Sequence, residues 1–186
     1  MTTAEIAVAA IDALDATSVP YMLVGAFSSN FYGIPRSTDD ADFVVELGSI
    51  SIVDVVKQLG PRFKLDPQVR FETATGTTRH IVNVENSPFI VEFFHLSGDA
   101  HDQERFRRRC NVVLHGRSSY IPTAEDVIIT KLRWSVHGRR PKDADDVRDV
   151  IAVQRDRIDW GYVCRWCEQH GTREKLEEIR KSIPPL

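Results

Sequence analysis

The stretch Asp42-Phe43-Val44-Val45-Glu46-Leu47 constrains the fold more than any other part of this chain. A β-strand sends successive side chains to opposite faces, so a strand with almost no polar alternation has to be covered on both. Helical patterns flank it in the sequence. Residues 2–16 carry Thr2 and Glu5 at capping-box spacing, with Ile6, Ala9, Ala10 and Leu14 following at helical intervals. Ile50–Leu59 is a second helical pattern and stops at Gly60-Pro61. A short apolar strand, Tyr21–Val24, precedes the covered one. Strands and helices in this alternation predict a mixed-sheet α/β fold.

Residues 62–98 read as short strands: Arg62–Leu65, Val69–Ala74, Arg79–Glu85 and Phe89–Leu96, separated by turns at residues 75–78 and 86–88. Asp102–Arg109 is a polar, basic helix or loop, and a strand pair is expected around His115-Gly116-Arg117. From Thr123 onward the pattern is helical, with Thr123 and Asp126 as cap and box and further helices over Lys142–Gln154, Asp159–His170 and Arg173–Lys181. The expectation is a mixed-sheet α/β (α+β) core over residues 1–121, with a helical C-terminal region, 122–186, packed on it. At 186 residues this is one domain's worth of chain.

A net charge of −3 gives no bulk support for a nucleic-acid coat or a membrane-surface role. No apolar run approaches the roughly 20 residues of a membrane span, and the N-terminal stretch carries acids and no basic region, unlike a signal peptide. A cytoplasmic location is expected. Cys164 and Cys167 form a lone CxxC on one apolar helix stripe with Trp160 and Val163, without the second ligand pair that zinc would need, so core packing is expected.

Three elements carry chemistry. The first is the pair Asp40 and Asp42, which share a strand face at the mouth of the covered strand. Mg²⁺ takes oxygen ligands and is held by one or two carboxylates with substrate phosphates. Taken alone, Asp39-Asp40-Ala41-Asp42 reads more readily as a solvated turn. The second is the turn Gly25-Ala26-Phe27-Ser28-Ser29, where small residues and a following helix start could admit an anion; an ordinary strand-to-helix turn would look the same. The third is Glu92 inside Phe89-Ile90-Val91-Glu92-Phe93-Phe94, a lone acid that is costly to bury without a partner. It could join the aspartates or accept a proton from an attacking hydroxyl.

Strand, glycine turn, acid-x-acid pair and a later third acid is the order found in the nucleotidyltransferase superfamily that resembles DNA polymerase β. The chain resembles the minimal, stand-alone bacterial members related to the AbiEii type of toxin. The resemblance rests on residues 23–45, with Arg36, Thr38, Asp40 and Asp42 at the family's Arg-x-Thr-x-Asp-x-Asp spacing. It rests also on a C-terminal Glu125-Asp126, Lys131 and Lys142-Asp143-x-x-Asp146. It implies a Mg²⁺-dependent transfer of an NMP from an NTP to a hydroxyl acceptor, with two ions. Asp40, Asp42 and Glu92 would be the metal-binding and catalytic acids. Gly25, Ala26 and Ser28 would line the triphosphate turn, with Lys131 and Arg36 reaching the phosphates. Departures are Ala26, where a hydroxyl or a second glycine is usual, and Glu92, where the family more often has Asp. Lys142, Asp143 and Asp146 could equally be structural ion pairs.

Two basic clusters bear on the acceptor: Arg105, Arg107, Arg108, Arg109 and Arg117, and Arg139, Arg140 and Lys142. On one rim they would hold RNA, fitting a toxin that modifies tRNA ends. With no aromatic stacking residues interleaved among the arginines, a solvated face balanced by acids is the other reading. Two alternatives to the toxin-type enzyme stand. One is a catalytically silent binding module paired with a partner protein. The other is a small-molecule transferase of the aminoglycoside type.

Overall fold

The computed structural model describes residues 1–73, 76–137 and 140–184, and within it the chain divides into two units, Met1–Phe27 with Ser37–Ile121 and Ser28–Arg36 with Pro122–Leu186. The fold is mixed α/β with a helical C-terminal part.

The first unit opens with α1 (Thr3–Ala16), whose capping box closes as the spacing predicts: Glu5 N–H donates to Thr2 Oγ1 and Thr2 N–H to Glu5 Oε2. It continues through β1 (Tyr21–Leu23) to α2 (Gly25–Tyr32), which starts in this unit and runs into the second. Then come β2 (Asp40–Val45), α3 (Ile52–Leu59), β3 (Phe63–Leu65), β4 (Arg70–Glu72), β5 (Thr77–Val84), β6 (Ile90–His95) and α4 (Ala100–Arg107). The hairpin β7 (Cys110–Leu114) and β8 (Arg117–Ile121) ends the unit as a separate two-stranded sheet. Its two-residue loop puts His115 and Gly116 at φ 48° and 79°, the positive values that a tight hairpin turn requires.

The main sheet has the order β1-β2-β6-β5-β3, with β4 also on β5. Among the described residues only β2 and β6 run parallel, and the other pairings of this sheet are antiparallel. On one face Tyr21 meets Phe43 edge-on at 5.9 Å, and Phe43 meets Phe93 at 5.7 Å. Each aromatic is buried, contributing about 1.5–3 kcal/mol. The strand expected over residues 42–47 starts two residues earlier, because β6 offers Asp40 and Ala41 backbone partners at Ile90 and Val91. Local pattern alone could not foresee that pairing, and it draws Asp40 into the strand itself.

The basic stretch after Asp99 is a helix, α4, capped by the Asp99 side chain. It is not solvated throughout: Arg105 and Asp102 form a buried ion pair at 2.5 Å, and Ser97 donates to Asp102 through N–H and hydroxyl.

The second unit holds the end of α2, the segment to Arg36, and four helices: α5 (Ala124–His137), α6 (Pro141–Gln154), α7 (Trp160–Gln169) and α8 (Arg173–Ser182). Thr123 caps α5 as expected, and its box partner Asp126 also accepts the Tyr162 hydroxyl at 2.7 Å. Val127, Ile128, Leu132, Val147, Ile151 and Leu176 centre its core. Cys167 lies in that core with Cys164 packed beside it, and burial pushes the Cys167 thiol up, away from the thiolate that metal or redox chemistry uses. No helix among the described residues is long and apolar enough to cross a membrane.

Candidate active site

The parallel register of β2 and β6 sets the site. Asp42 lies opposite Glu92 and Asp40 opposite Ile90, so alternation puts all three acids on one face, away from Phe43 and Phe93. Asp42 and Glu92 share a side-chain hydrogen bond. Thr38 donates its hydroxyl to Asp40 Oδ1 at 2.5 Å.

Glu92 is the buried member. Burial pushes its carboxyl above the usual range; Arg79, the hydrogen bond with Asp42 and Arg70 pull it down, while Asp40 adds to the rise. The net direction is up. Arg79 is the counter-ion, its guanidinium 3.0 Å from Glu92 Oε2 and 5.5 Å from the centre of the Phe94 ring. Sequence reading did not single out Arg79. The available signal was the lone acid itself, since a buried carboxylate calls for a cation on the neighbouring strand.

An acid whose folded pKa is raised stabilises most below its unfolded value, and that contribution is lost as pH rises through the folded value. Arg79→Leu removes the main downward pull. The Glu92 carboxyl is then expected to titrate at higher pH than in the wild type, read in metal-free protein by carboxyl ¹³C NMR. An unchanged titration would show that Arg79 does not govern this group.

Gly25 closes the site from the end of β1. Its φ is +62°, and a Cβ there would stand 1.9 Å from Asp42 Oδ2. Only glycine allows both the turn and this approach. Val24 N–H donates to the Asp42 carbonyl at 2.8 Å, which ties the turn to the acid strand. Gly25→Ala is expected to destabilise by at least about 1–2 kcal/mol from the left-handed backbone alone. It also displaces the Asp42 carboxylate. Urea denaturation reads the first effect and Mn²⁺ affinity the second; a variant matching wild type in both would rule out the close approach. Ala26 follows and is buried.

The donors assembled here are carboxylate oxygens from Asp40, Asp42 and Glu92, a hard set that suits Mg²⁺ or Mn²⁺ rather than a thiophilic ion. The glycine cradle against Asp42 leaves that carboxylate uncovered by any side chain at position 25.

The other residues of interest fall in the second unit. Ser28 is buried in α2. Asn30 closes the following loop by donating to the Arg36 carbonyl at 2.8 Å and accepting from Arg36 N–H at 3.0 Å. Arg36 then grips Asp146 with two bonds, 2.7 and 2.9 Å. Lys131 sits 2.8 Å from both Asp143 and Asp146, and Arg140 reaches Asp143 at 3.2 Å. Burial alone would raise the Asp146 carboxyl, but the Arg36 hydrogen bond and Lys131 outweigh it and hold it low. The i, i+3 spacing of Asp143 and Asp146 on α6 is legible in sequence; the Arg36 partner, 110 positions away, is not.

The first arginine cluster is largely neutralised. Besides buried Arg105, Arg107 pairs with Glu104 at 2.9 Å and Arg117 with Asp12 at 3.0 Å. Arg109 lies over the Phe106 ring at 4.2 Å. In the second cluster Arg139 lies outside the described residues.

No protein-family profile matches the chain, and no curated protein matches its sequence. Solved structures do match its fold. The crystal structure of ANT(2'')-Ia in complex with adenylyl-2''-tobramycin aligns over 97% of this chain and 98% of its own, with TM-score 0.57 and 12% identity. An antigenic nucleotidyltransferase-like protein from Paracoccidioides brasiliensis aligns over 100% and 96%, with TM-score 0.55 and 16% identity. JHP933 from Helicobacter pylori aligns over 96% and 89%, with TM-score 0.51 and 17% identity. At these identities the likeness is one of fold, and the fold is nucleotidyltransferase-like.

Proposed function

We propose that this protein is a metal-dependent nucleotidyltransferase that moves an NMP from an NTP to a hydroxyl acceptor. The observation that carries the reading is the placement of Asp42 and Glu92 side by side on parallel strands, with Gly25 closed against Asp42. Asp40, Asp42 and Glu92 would hold Mg²⁺. When bound, two ions would neutralise phosphate charge and favour ionisation of the acceptor hydroxyl. The rest is positioning by the chain itself. The Gly25-Ala26 turn offers backbone N–H groups at the start of α2 to a triphosphate. Thr38 orients Asp40, and Arg79 keeps Glu92 ionisable. Arg36 and Lys131, expected at the phosphates, are both engaged by Asp146 within the second unit. In this reading residues 1–121 carry the chemistry.

An RNA end, as for a toxin-type enzyme of the AbiEii kind, is one acceptor class. A small polyhydroxylated molecule is the second, and the internal neutralisation of Arg105, Arg107 and Arg117 favours it. ANT(2'')-Ia, seen with adenylyl-2''-tobramycin, shares the fold.

The test is thermal stability with each NTP and Mg²⁺. A ligand at a hundred times its Kd stabilises by about 2.7 kcal/mol, so one NTP should raise the midpoint only when Mg²⁺ is present. No shift with any nucleotide would favour a silent module partnered by another protein.

A further inference from the structure

β6 has a second chemistry on its other side. Glu92 and His95 are three residues apart and therefore face opposite sides of the sheet. His80 on β5 pairs in register with Phe93, which sets its ring diagonal to His95 on that opposite face. The two Nε2 atoms are 3.0 Å apart, and the rings are tilted by 35° with centroids 5.1 Å apart. Both rings line a groove of about 470 Å³, together with Glu46, Ser51 and Gln103.

Two imidazoles this close can share one proton, as Nε2–H···Nε2. They can equally turn both Nε2 lone pairs onto one ion. Burial lowers the pKa of both, and His95 lowers that of His80 further, so both are held in the neutral form that metals bind. With metal–nitrogen bonds of about 2.0–2.1 Å, nitrogens 3.0 Å apart subtend roughly 91–97° at the ion. Tetrahedral geometry needs about 3.3 Å, a few tenths more, which small side-chain rotations supply.

We propose that His80 and His95 form a binding site for a divalent transition metal of the Zn²⁺ or Ni²⁺ class, opening onto this groove and separate from the carboxylate face. Two imidazoles favour these ions over Mg²⁺, whereas the carboxylates opposite favour the reverse. Water from the groove fills the remaining positions, and Glu46 contributes negative charge on the groove wall. The proposal is independent of nucleotide transfer, and either can fail without the other.

The experiment is calorimetric titration of chelator-treated, nucleotide-free protein with Zn²⁺ alone. Wild type should bind an equivalent that His80→Asn and His95→Asn each weaken at least tenfold, while Asp42→Asn leaves it unchanged. Binding that both histidine variants retain at wild-type strength, or no binding by wild type, overturns the proposal. Should a variant fail to fold, wild-type imidazole ¹H–¹⁵N spectra decide. One equivalent of Zn²⁺ should move the Nε2 resonances of His80 and His95 among the six histidines. If those two stay in place while others move, the site is elsewhere.

Discussion

Asp42→Ala is expected to lower kcat/KM for nucleotidyl transfer by a hundred- to a thousandfold or more, the scale of losing one preorganised charge-stabilising group. The effect should fall on transfer rather than on folding. Asp42 lies where three features meet: the Glu92 hydrogen bond, the Gly25 approach and the backbone bond to Val24. The last of these survives substitution, since it uses the Asp42 carbonyl. The variant should therefore keep its far-UV spectrum and its unfolding midpoint close to wild type. Full activity in Asp42→Ala would remove the acid set from the chemistry, whatever the fold.

The second large effect is on stability. Lys131→Met should destabilise by about 3–5 kcal/mol, because it leaves buried carboxylates short of a cation. Asp143 is 1% exposed at its side chain and Asp146 6%, and Lys131 serves both. Arg36 and Arg140 remain, but Arg140 is itself 37% exposed and reaches Asp143 only at 3.2 Å. Urea denaturation reads the loss. A phosphate-binding lysine would behave otherwise: nucleotide affinity would fall while stability moved by less than about 1 kcal/mol. The two outcomes separate the structural from the phosphate reading of the Lys131 network.

Much of this was legible in the residues because it is local. The unalternating strand at Phe43-Val44-Val45 is covered on both faces, with Phe43 and Val45 on one and Val44 on the other all nearly inaccessible. The capping box at Thr2 closes as its spacing predicts, and Thr123 accepts from Asp126 N–H as expected of a cap. Glu92 stood out because a lone acid among aromatics is costly, and it is buried. What stayed hidden depends on partners far along the chain. The start of β2 at Asp40 depends on β6, fifty residues on. Arg79 and Arg36 could be matched to Glu92 and Asp146 only once the sheet register and the loop after α2 existed in three dimensions. The arginines after Asp99 looked like a charged face. The i, i+3 pairing of Asp102 with Arg105, which buries one of them, uses a spacing shared by many solvated pairs.

Nucleotidyl transfer is tested by incubating wild-type protein with α-labelled NTPs and separate pools of total RNA, polyhydroxylated small molecules and protein. Label should be transferred to one pool, with pyrophosphate released, only when Mg²⁺ or Mn²⁺ is present and not by Asp42→Ala. Transfer that persists without divalent metal, or no transfer to any pool together with no metal-dependent NTP binding, would contradict it.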